Sequence, residues 1–239
     1  MCIRALFSEV SKLIPSLENN KLLQESGLHC TVVGRILNIC LLCLVTCNSM
    51  SYFTEMSGEQ QIVFVVGSSS SSPTAQTKNF GIALKMISSM IGKYKISPSD
   101  TQVGFVVYGS SASPAFSIGT HSDKTSLLNA VGGIRFPGSP GRVDAGINAG
   151  ATMLRGARKD GVPQRFVVFM DGDMQDGASS ILGDIKGANA DVLFVGIGND
   201  VDEDQVGKMS SDMKGILVPD TDDLDDKVKD LARPVRKPG

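Results

Sequence analysis

Short apolar runs alternate with helix-spaced apolar positions along the chain from Gln61 onward. Five runs are continuous and rich in β-branched and aromatic residues, which is typical of strands buried on both faces of a parallel sheet. They are Ile62–Val66, Val103–Tyr108, Phe166–Met170, Val192–Ile197 and Ile216–Val218. The segments between them carry apolar residues at steps of three and four, which predicts amphipathic helices. These residues are Phe80, Leu84, Ile87 and Ile91; Leu127, Val131 and Ile134; Ile181, Ile185 and Ala188; and Leu224, Val228 and Leu231.

This alternation predicts an α/β fold, a three-layer doubly wound Rossmann-like sheet that is mostly parallel and has helices on both faces. One further run, Pro114–Ile118, follows the second strand after a Gly-Ser turn. That spacing is too short for a crossover helix, so this run is predicted to be a short antiparallel edge strand. No repeat or linker divides residues 58–233, which we predict to be one domain, and residues 234–239 are expected to be a disordered tail.

The amino-terminal region has the features of a secretory signal. Arg35 precedes an apolar run of 11 residues, 36–46, which is followed by small or polar residues. Spanning a bilayer takes about 20 apolar residues, so we predict that residues 1–49 are a leader with a signal peptide. An uncleaved anchor and a buried segment remain alternatives. All five cysteines lie in the first 47 residues, so the predicted domain at residues 58–233 contains no disulfide and no thiolate metal site.

Charge and motif content argue against several classes of function. The net charge is -2, and no stretch concentrates lysine or arginine, so a nucleic-acid partner is not expected. The first strand-to-helix turn has neither Gly-x-Gly-x-x-Gly nor Gly-Lys-Ser/Thr, which argues against nucleotide binding. The only histidines are His29, in the leader, and His121, which we predict to be a solvated loop residue. With no base placed beside a serine nucleophile, we expect no catalytic residue and no enzymatic activity.

Three loops are expected at the carboxyl ends of the strands, where doubly wound sheets bind ligands. We call them the first loop (Gly67–Pro73), the second loop (Gly138–Asp144) and the third loop (Asp171–Gly177). Serine hydroxyls at alternate positions of the first loop point the same way and can ligate a hard cation, although a flexible low-complexity turn is the alternative. Asp171 directly follows a buried strand, a position that suits a metal or polar ligand as well as a turn or cap.

Four segments, taken in order, resemble a von Willebrand factor A domain from about Gln61 to Leu231. They are the serine loop after the first strand, Gly-Arg-Val-Asp at 141–144, Phe-Val-Val-Phe-Met-Asp-Gly at 166–172 and Val-Gly-Ile-Gly at 195–198. The likeness is greatest to the extracellular group found in matrilins, non-fibrillar collagens and integrin inserted domains. This resemblance implies the fold predicted above and a binding function.

The resemblance also implies a metal-ion-dependent adhesion site, with Asp-x-Ser-x-Ser on the first loop, a threonine on the second and an aspartate on the third. Ser69, Ser71 and Asp171 match this pattern. Gly67 stands in place of the leading aspartate, and Gly141 in place of the threonine. The expected remnant of the metal site is Ser69, Ser71 and Asp171, and the expected ligand-binding face comprises Ser69, Ser71, Gly141, Asp171 and Asp173.

Counting ligands suggests that this site is degenerate. Mg²⁺ prefers about six oxygens in octahedral geometry, usually with at least one carboxylate, and the pattern keeps one carboxylate and two neutral hydroxyls. Asp173 could swing in as a substitute, whereas Asp144 is expected to start the following helix. We therefore expect no cofactor, with weak Mg²⁺ or Ca²⁺ binding as the alternative.

The resemblance and the residue pattern together predict a secreted, non-enzymatic protein-binding or adhesion module of the extracellular matrix or cell surface, acting without a metal. The expected partner is an extracellular protein, with collagen or another matrix protein as candidates, and no stable membrane span is expected after processing. One alternative is a divalent-cation-dependent adhesion domain. Another is a secreted structural protein that self-associates through its edge strand or exposed helices.

Overall fold

The computed structural model describes residues 55–70, 72–138, 141–172, 179–212, 215–219 and 224–232. The predicted leader (1–49) and tail (234–239) lie outside these ranges, as do Ser71 and Asp173 of the expected binding face. Within the described part of the chain, no helix is long and apolar enough to cross a membrane.

A single sheet of six strands forms the centre of the domain, in the order β3-β2-β1-β4-β5-β6. The strands are β1 Gln60–Gly67, β2 Thr101–Tyr108, β3 Ala112–Phe116, β4 Gln164–Met170, β5 Asp191–Ile197 and β6 Ile216–Val218. Every neighbouring pair is parallel except β2 and β3. The predicted antiparallel edge strand is thus confirmed, but it begins two residues earlier than expected because the Gly109 amide closes a tight turn on the Ser111 carbonyl at 2.9 Å.

Helices cover both faces of the sheet, which confirms the predicted three-layer arrangement. They are α1 Pro73–Lys93, α2 Lys124–Gly133, α3 Val143–Gly156, α4 Ser179–Gly187, α5 Glu203–Met209 and α6 Leu224–Leu231. One apolar layer packs the sheet against α1, α2 and α6, and the other packs it against α3, α4 and α5. The β1 strand is buried along its whole length because both layers cover it.

Short polar side chains determine where several helices begin. Ser72 accepts a hydrogen bond from the Ala75 amide, and Pro73 occupies the first turn of α1. Asp123 caps α2 by accepting from the Ser126 amide at 2.9 Å. Asp202 does the same for α5, so this acidic residue has a local structural role at a helix start. The first of these caps fixes the direction in which α1 leaves the first loop.

A fully buried arginine ties the carboxy-terminal helix to the sheet. Arg165, near the start of β4, is 0 % exposed. Its guanidinium donates to the Asp191 carboxylate at 2.7 and 3.0 Å. It also donates to the Leu231 carbonyl of α6 at 2.9 Å and to the Tyr94 hydroxyl at 3.3 Å. Charge and hydrogen bonds therefore compensate for the desolvation of this cation.

Replacing Gly81 with alanine should raise the unfolding free energy by about 0.5–1 kcal/mol, because glycine is a poor helix former. Gly81 lies inside α1, and apart from its chain neighbours and the backbone of its own helix no atom lies within 4 Å of the position that a Cβ would take. Gly150→Ala in α3 is the matched control, since its Cβ would lie 2.7 Å from the Phe166 ring and from Val65. Urea unfolding should show stabilisation for the first variant and destabilisation for the second. Equal effects would contradict the packing described.

Candidate ligand-binding face

The candidate face lies where the strand order reverses. From β1 the chain continues to β2 on one side, and from β4 it continues to β5 on the other, although β1 and β4 are neighbours. The segments that leave these two strands therefore diverge and open a crevice at their carboxyl ends. The first loop follows β1 and the third loop follows β4, so the structure brings Ser69 and Asp171 together.

The carboxylate of Asp171 is buried and is bound by the first loop. Asp171 is 2 % exposed. Its Oδ2 accepts from the Ser68 hydroxyl at 2.5 Å, and its Oδ1 accepts from the backbone amides of Ser69 at 2.7 Å and Ser70 at 3.1 Å. The Ser69 hydroxyl lies 3.5 Å from Oδ1, at the limit of a hydrogen bond. These hydrogen bonds satisfy both oxygens of the buried carboxyl group.

The second loop joins the first through Gly141. The Gly141 amide donates to the Ser68 carbonyl at 2.7 Å. A Cβ built on Gly141 would lie 2.5 Å from the Cα of Gly109 and would overlap that residue's carbonyl group. Glycine is therefore required here by close approach of two backbones, and a threonine in its place would not fit without moving one of them.

Gly67 is likewise packed against its neighbour, Tyr108. The two residues are partners in the β1–β2 register. A Cβ on Gly67 would overlap the Tyr108 carbonyl oxygen and lie 2.5 Å from the Tyr108 ring. The Tyr108 hydroxyl donates to the Phe169 carbonyl at 3.0 Å. Burial raises the pKa of the Tyr108 phenol well above its usual range, and the charge of Asp171 adds to that effect, so this hydroxyl remains a neutral donor.

The described side chains do not fit the needs of a divalent cation. Gly67 and Gly141 offer no side-chain oxygen, and both oxygens of Asp171 already accept hydrogen bonds. Among the described residues, no group of three or more His, Cys, Asp or Glu side chains is arranged to hold a metal. Mg²⁺ would require about six oxygen ligands in octahedral geometry. Ser71 and Asp173, the other two residues expected on this face, are not described.

An ion pair lies at the carboxyl end of the second loop. The Arg142 guanidinium donates to Asp144 at 3.0 Å, and Asp144 lies in the first turn of α3, as expected. This hydrogen bond from Arg142 holds the pKa of the Asp144 carboxyl below its usual value, and Coulomb attraction adds to the effect. Asp144 therefore stabilises the helix start and Arg142, whereas the Arg142 side chain remains 63 % exposed and available to a partner.

His121 lies between β3 and α2. It was expected to be solvated, but it is half-buried: its Nδ1 lies 2.8 Å from the Ser126 hydroxyl, and its ring meets the Phe116 ring edge-on at 4.8 Å. Its described contacts are with the edge strand and α2, and none is with the first loop. The described contacts therefore give no support to a Ser-His-Asp arrangement at the serine loop.

Two residues of the face were not anticipated from the sequence: Ser68 and Tyr108. The alternation of side chains in the first loop placed Ser69 and Ser71 together, which left Ser68 on the opposite side. That side faces Asp171, and Ser68 is fully buried there. Tyr108 could have been found from its place at the end of a buried strand, because a tyrosine buried in a core usually needs a partner for its hydroxyl.

Comparison with known proteins agrees with this architecture. Residues 61–232 match the family model described as von Willebrand factor type A domain. Human von Willebrand factor A domain-containing protein 2 is 29% identical over 141 residues, which cover 57% of this chain and 18% of that protein. The mouse collagen alpha-4(VI) chain is 32% identical over 143 residues, which cover 57% of this chain and 6% of the collagen. The matched region thus spans less than a fifth of the length of either relative.

Among solved structures, proximal thread matrix protein 1 from the mussel byssus has a similar fold. It superposes with a TM-score of 0.65 at 18% sequence identity, covering 74% of this chain and 46% of the mussel protein. The strand order, the position of the serine loop and Asp171 at its reversal, and the family match over most of the body together show that this chain belongs to the von Willebrand factor type A domain family.

Proposed function

We propose that this protein is a secreted, non-enzymatic binding module of the extracellular matrix or cell surface, and that it holds its partner without a divalent cation. The observation that supports binding without a divalent cation is the set of hydrogen bonds that the Asp171 carboxylate accepts. Its carboxylate is surrounded by donors of its own chain, Ser68, Ser69 and Ser70. A carboxylate in that state already has the stabilisation that a cation would otherwise supply.

The proposed location and partner class rest on the relatives. The family match, together with a matrix relative such as the collagen alpha-4(VI) chain, supports an adhesive or protein-binding role. We propose that the partner is an extracellular protein, with collagen and other matrix proteins as the first candidates. No acidic group of the partner needs to reach a metal in this scheme. The face would instead use neutral hydrogen bonds from Ser69 and the exposed charge of Arg142.

Binding to immobilised matrix proteins, measured by surface plasmon resonance in excess EDTA and again in Mg²⁺, tests this proposal. We expect affinities in the two buffers to agree within a factor of about two, because no bound cation contributes to the free energy of association. A loss of binding in EDTA would instead support the cation-dependent adhesion domain. Failure to bind any matrix protein in either buffer would contradict the proposed partner class.

Charge reversal at the two ends of α3 tests whether the proposed face is used. Arg142→Glu should weaken binding about tenfold, or ~1.4 kcal/mol, because it removes an exposed cation from the face. Arg158→Glu is the matched control, since Arg158 is exposed just beyond the other end of α3. If both reversals weaken binding equally, the effect is one of net charge, and the proposed face is wrong.

The structure gives little support to self-association through the edge strand. β3 has five residues, and Pro114 in its centre has no amide hydrogen to donate to an added strand. A bulge in the β2–β3 register, between Phe105 and Val106, further interrupts the pairing. Natural sheets use these two features to block edge-to-edge pairing. Sedimentation of the protein at increasing concentration should therefore show no dimer that depends on β3.

A further inference from the structure

The first loop encloses the carboxylate of Asp171 with backbone as well as side-chain donors. The successive amides of Ser69 and Ser70 converge on Oδ1, while the Ser68 hydroxyl takes Oδ2. Successive amides that point to one centre form an anion-binding concavity. The anion in this concavity is a side chain of the same protein, and its surroundings are buried: Ser68 is 0 % exposed, Ser70 4 % and Asp171 2 %.

The carbonyl groups of the same loop are also bound. The Ser68 carbonyl accepts from the Gly141 amide of the second loop at 2.7 Å. The Ser70 carbonyl accepts from the Gln76 side chain of α1 at 2.7 Å. The loop is therefore tied to three neighbours, namely the third loop, the second loop and α1. None of these ties requires a group from outside the chain.

We infer that Asp171 and Ser68 are positioning residues that hold Ser68–Ser70 of the first loop and Gly141 of the second loop in one conformation, with the carboxylate serving as the internal ligand of the first loop. This inference rests on the proposed function, because these loops form the proposed binding face. It adds that these described residues of the face are already ordered before a partner arrives and that cation concentration does not regulate them. A preformed face avoids the entropic cost of ordering the loops during association.

Competition for Oδ1 of Asp171 argues against direct binding of a cation to that oxygen. Oδ1 accepts from two backbone amides, so a metal bound directly to that oxygen would have to displace at least one of them. A buried amide without an acceptor is costly. A cation bound directly to Oδ1 would thus disorder Ser69 and Ser70.

Hydrogen exchange of the Ser69 and Ser70 amides in the full chain tests the inference without a partner. In excess EDTA both amides should be protected, and adding Mg²⁺ should not change their rates. Asp171→Ala should raise both rates by at least about tenfold, because their common acceptor is gone. Asp171→Asn should keep most of the protection, since an amide oxygen can still accept both bonds. The amide of Phe194 in β5, which donates to the Ser210 hydroxyl at 3.0 Å, reports whether the fold is intact.

The asparagine variant separates the two explanations for an ordered loop. If a cation orders it, removing the charge should act like Asp171→Ala, and EDTA alone should expose the wild-type amides. Either result overturns the inference. Should Asp171→Ala fail to fold, the wild-type comparison with and without EDTA and the Asp171→Asn variant still decide. Because no partner is present, an absence of matrix binding would overturn the proposed function and leave these exchange rates as expected.

Discussion

Replacing Gly67 with aspartate should lower the unfolding free energy by about 3 kcal/mol or more, and it should not create a cation site. The substitution restores the residue that the adhesion-site pattern has at this position. Its Cβ, however, would overlap the carbonyl oxygen of Tyr108 and lie 2.5 Å from the tyrosine ring. The carboxylate would also add a second negative charge beside Asp171 in a buried region. Urea unfolding, with calorimetric titration by Mg²⁺ and Mn²⁺, measures both effects.

Gly67→Ala is the control for the steric part of that prediction. It places the same Cβ against Tyr108 without a charge, so it should cost about 1–3 kcal/mol, the usual range for overpacking. The difference between the two variants then measures the cost of the buried carboxylate. An aspartate variant that is as stable as the wild type and binds Mg²⁺ would show that Tyr108 can move aside.

Replacing Arg165 with methionine should lower the unfolding free energy by about 3–5 kcal/mol, the range for removing one partner of a buried ion pair. The variant keeps an unbranched side chain but leaves three acceptors without their donor: Asp191, the Tyr94 hydroxyl and the Leu231 carbonyl. Because Leu231 lies in α6, the carboxy-terminal helix should be the first element to lose its packing. Urea unfolding gives the free energy, and hydrogen exchange of α6 amides gives the location.

Arg155→Met is the matched control for this substitution. Arg155 is exposed in the last turn of α3, so the same change should alter the unfolding free energy by no more than about 0.5 kcal/mol. Equal effects at the two sites would mean that the loss comes from arginine chemistry in general and not from the buried network. A double variant, Arg165→Met with Asp191→Leu, should recover part of the loss because it leaves no buried charge.

Secondary structure followed from the sequence because local patterns determine it. The five continuous apolar runs became the parallel strands. The strands β1, β4 and β5 are buried on both faces, whereas β6 at the edge of the sheet is half-buried. Helical spacing likewise placed Phe80, Ile87 and Ile91 in the core. Where a position lay at the end of a pattern, the prediction was less accurate. Ile134 caps α2 from outside the helix and is only half-buried.

What the sequence by itself determined was therefore the α/β architecture, the carboxyl-end position of the serine loop and Asp171, and the two glycines that replace metal ligands. Only the tertiary structure decided which residues contact these positions. Ser68 meets Asp171, Gly141 meets Gly109, and Tyr108 covers Gly67. These contacts join residues far apart in the chain on different strands and loops. Whether they form depends on differences of a few tenths of an ångström in the spacing of those strands and loops. Periodicity reports which face a side chain occupies, whereas close packing between loops determines which atom it meets.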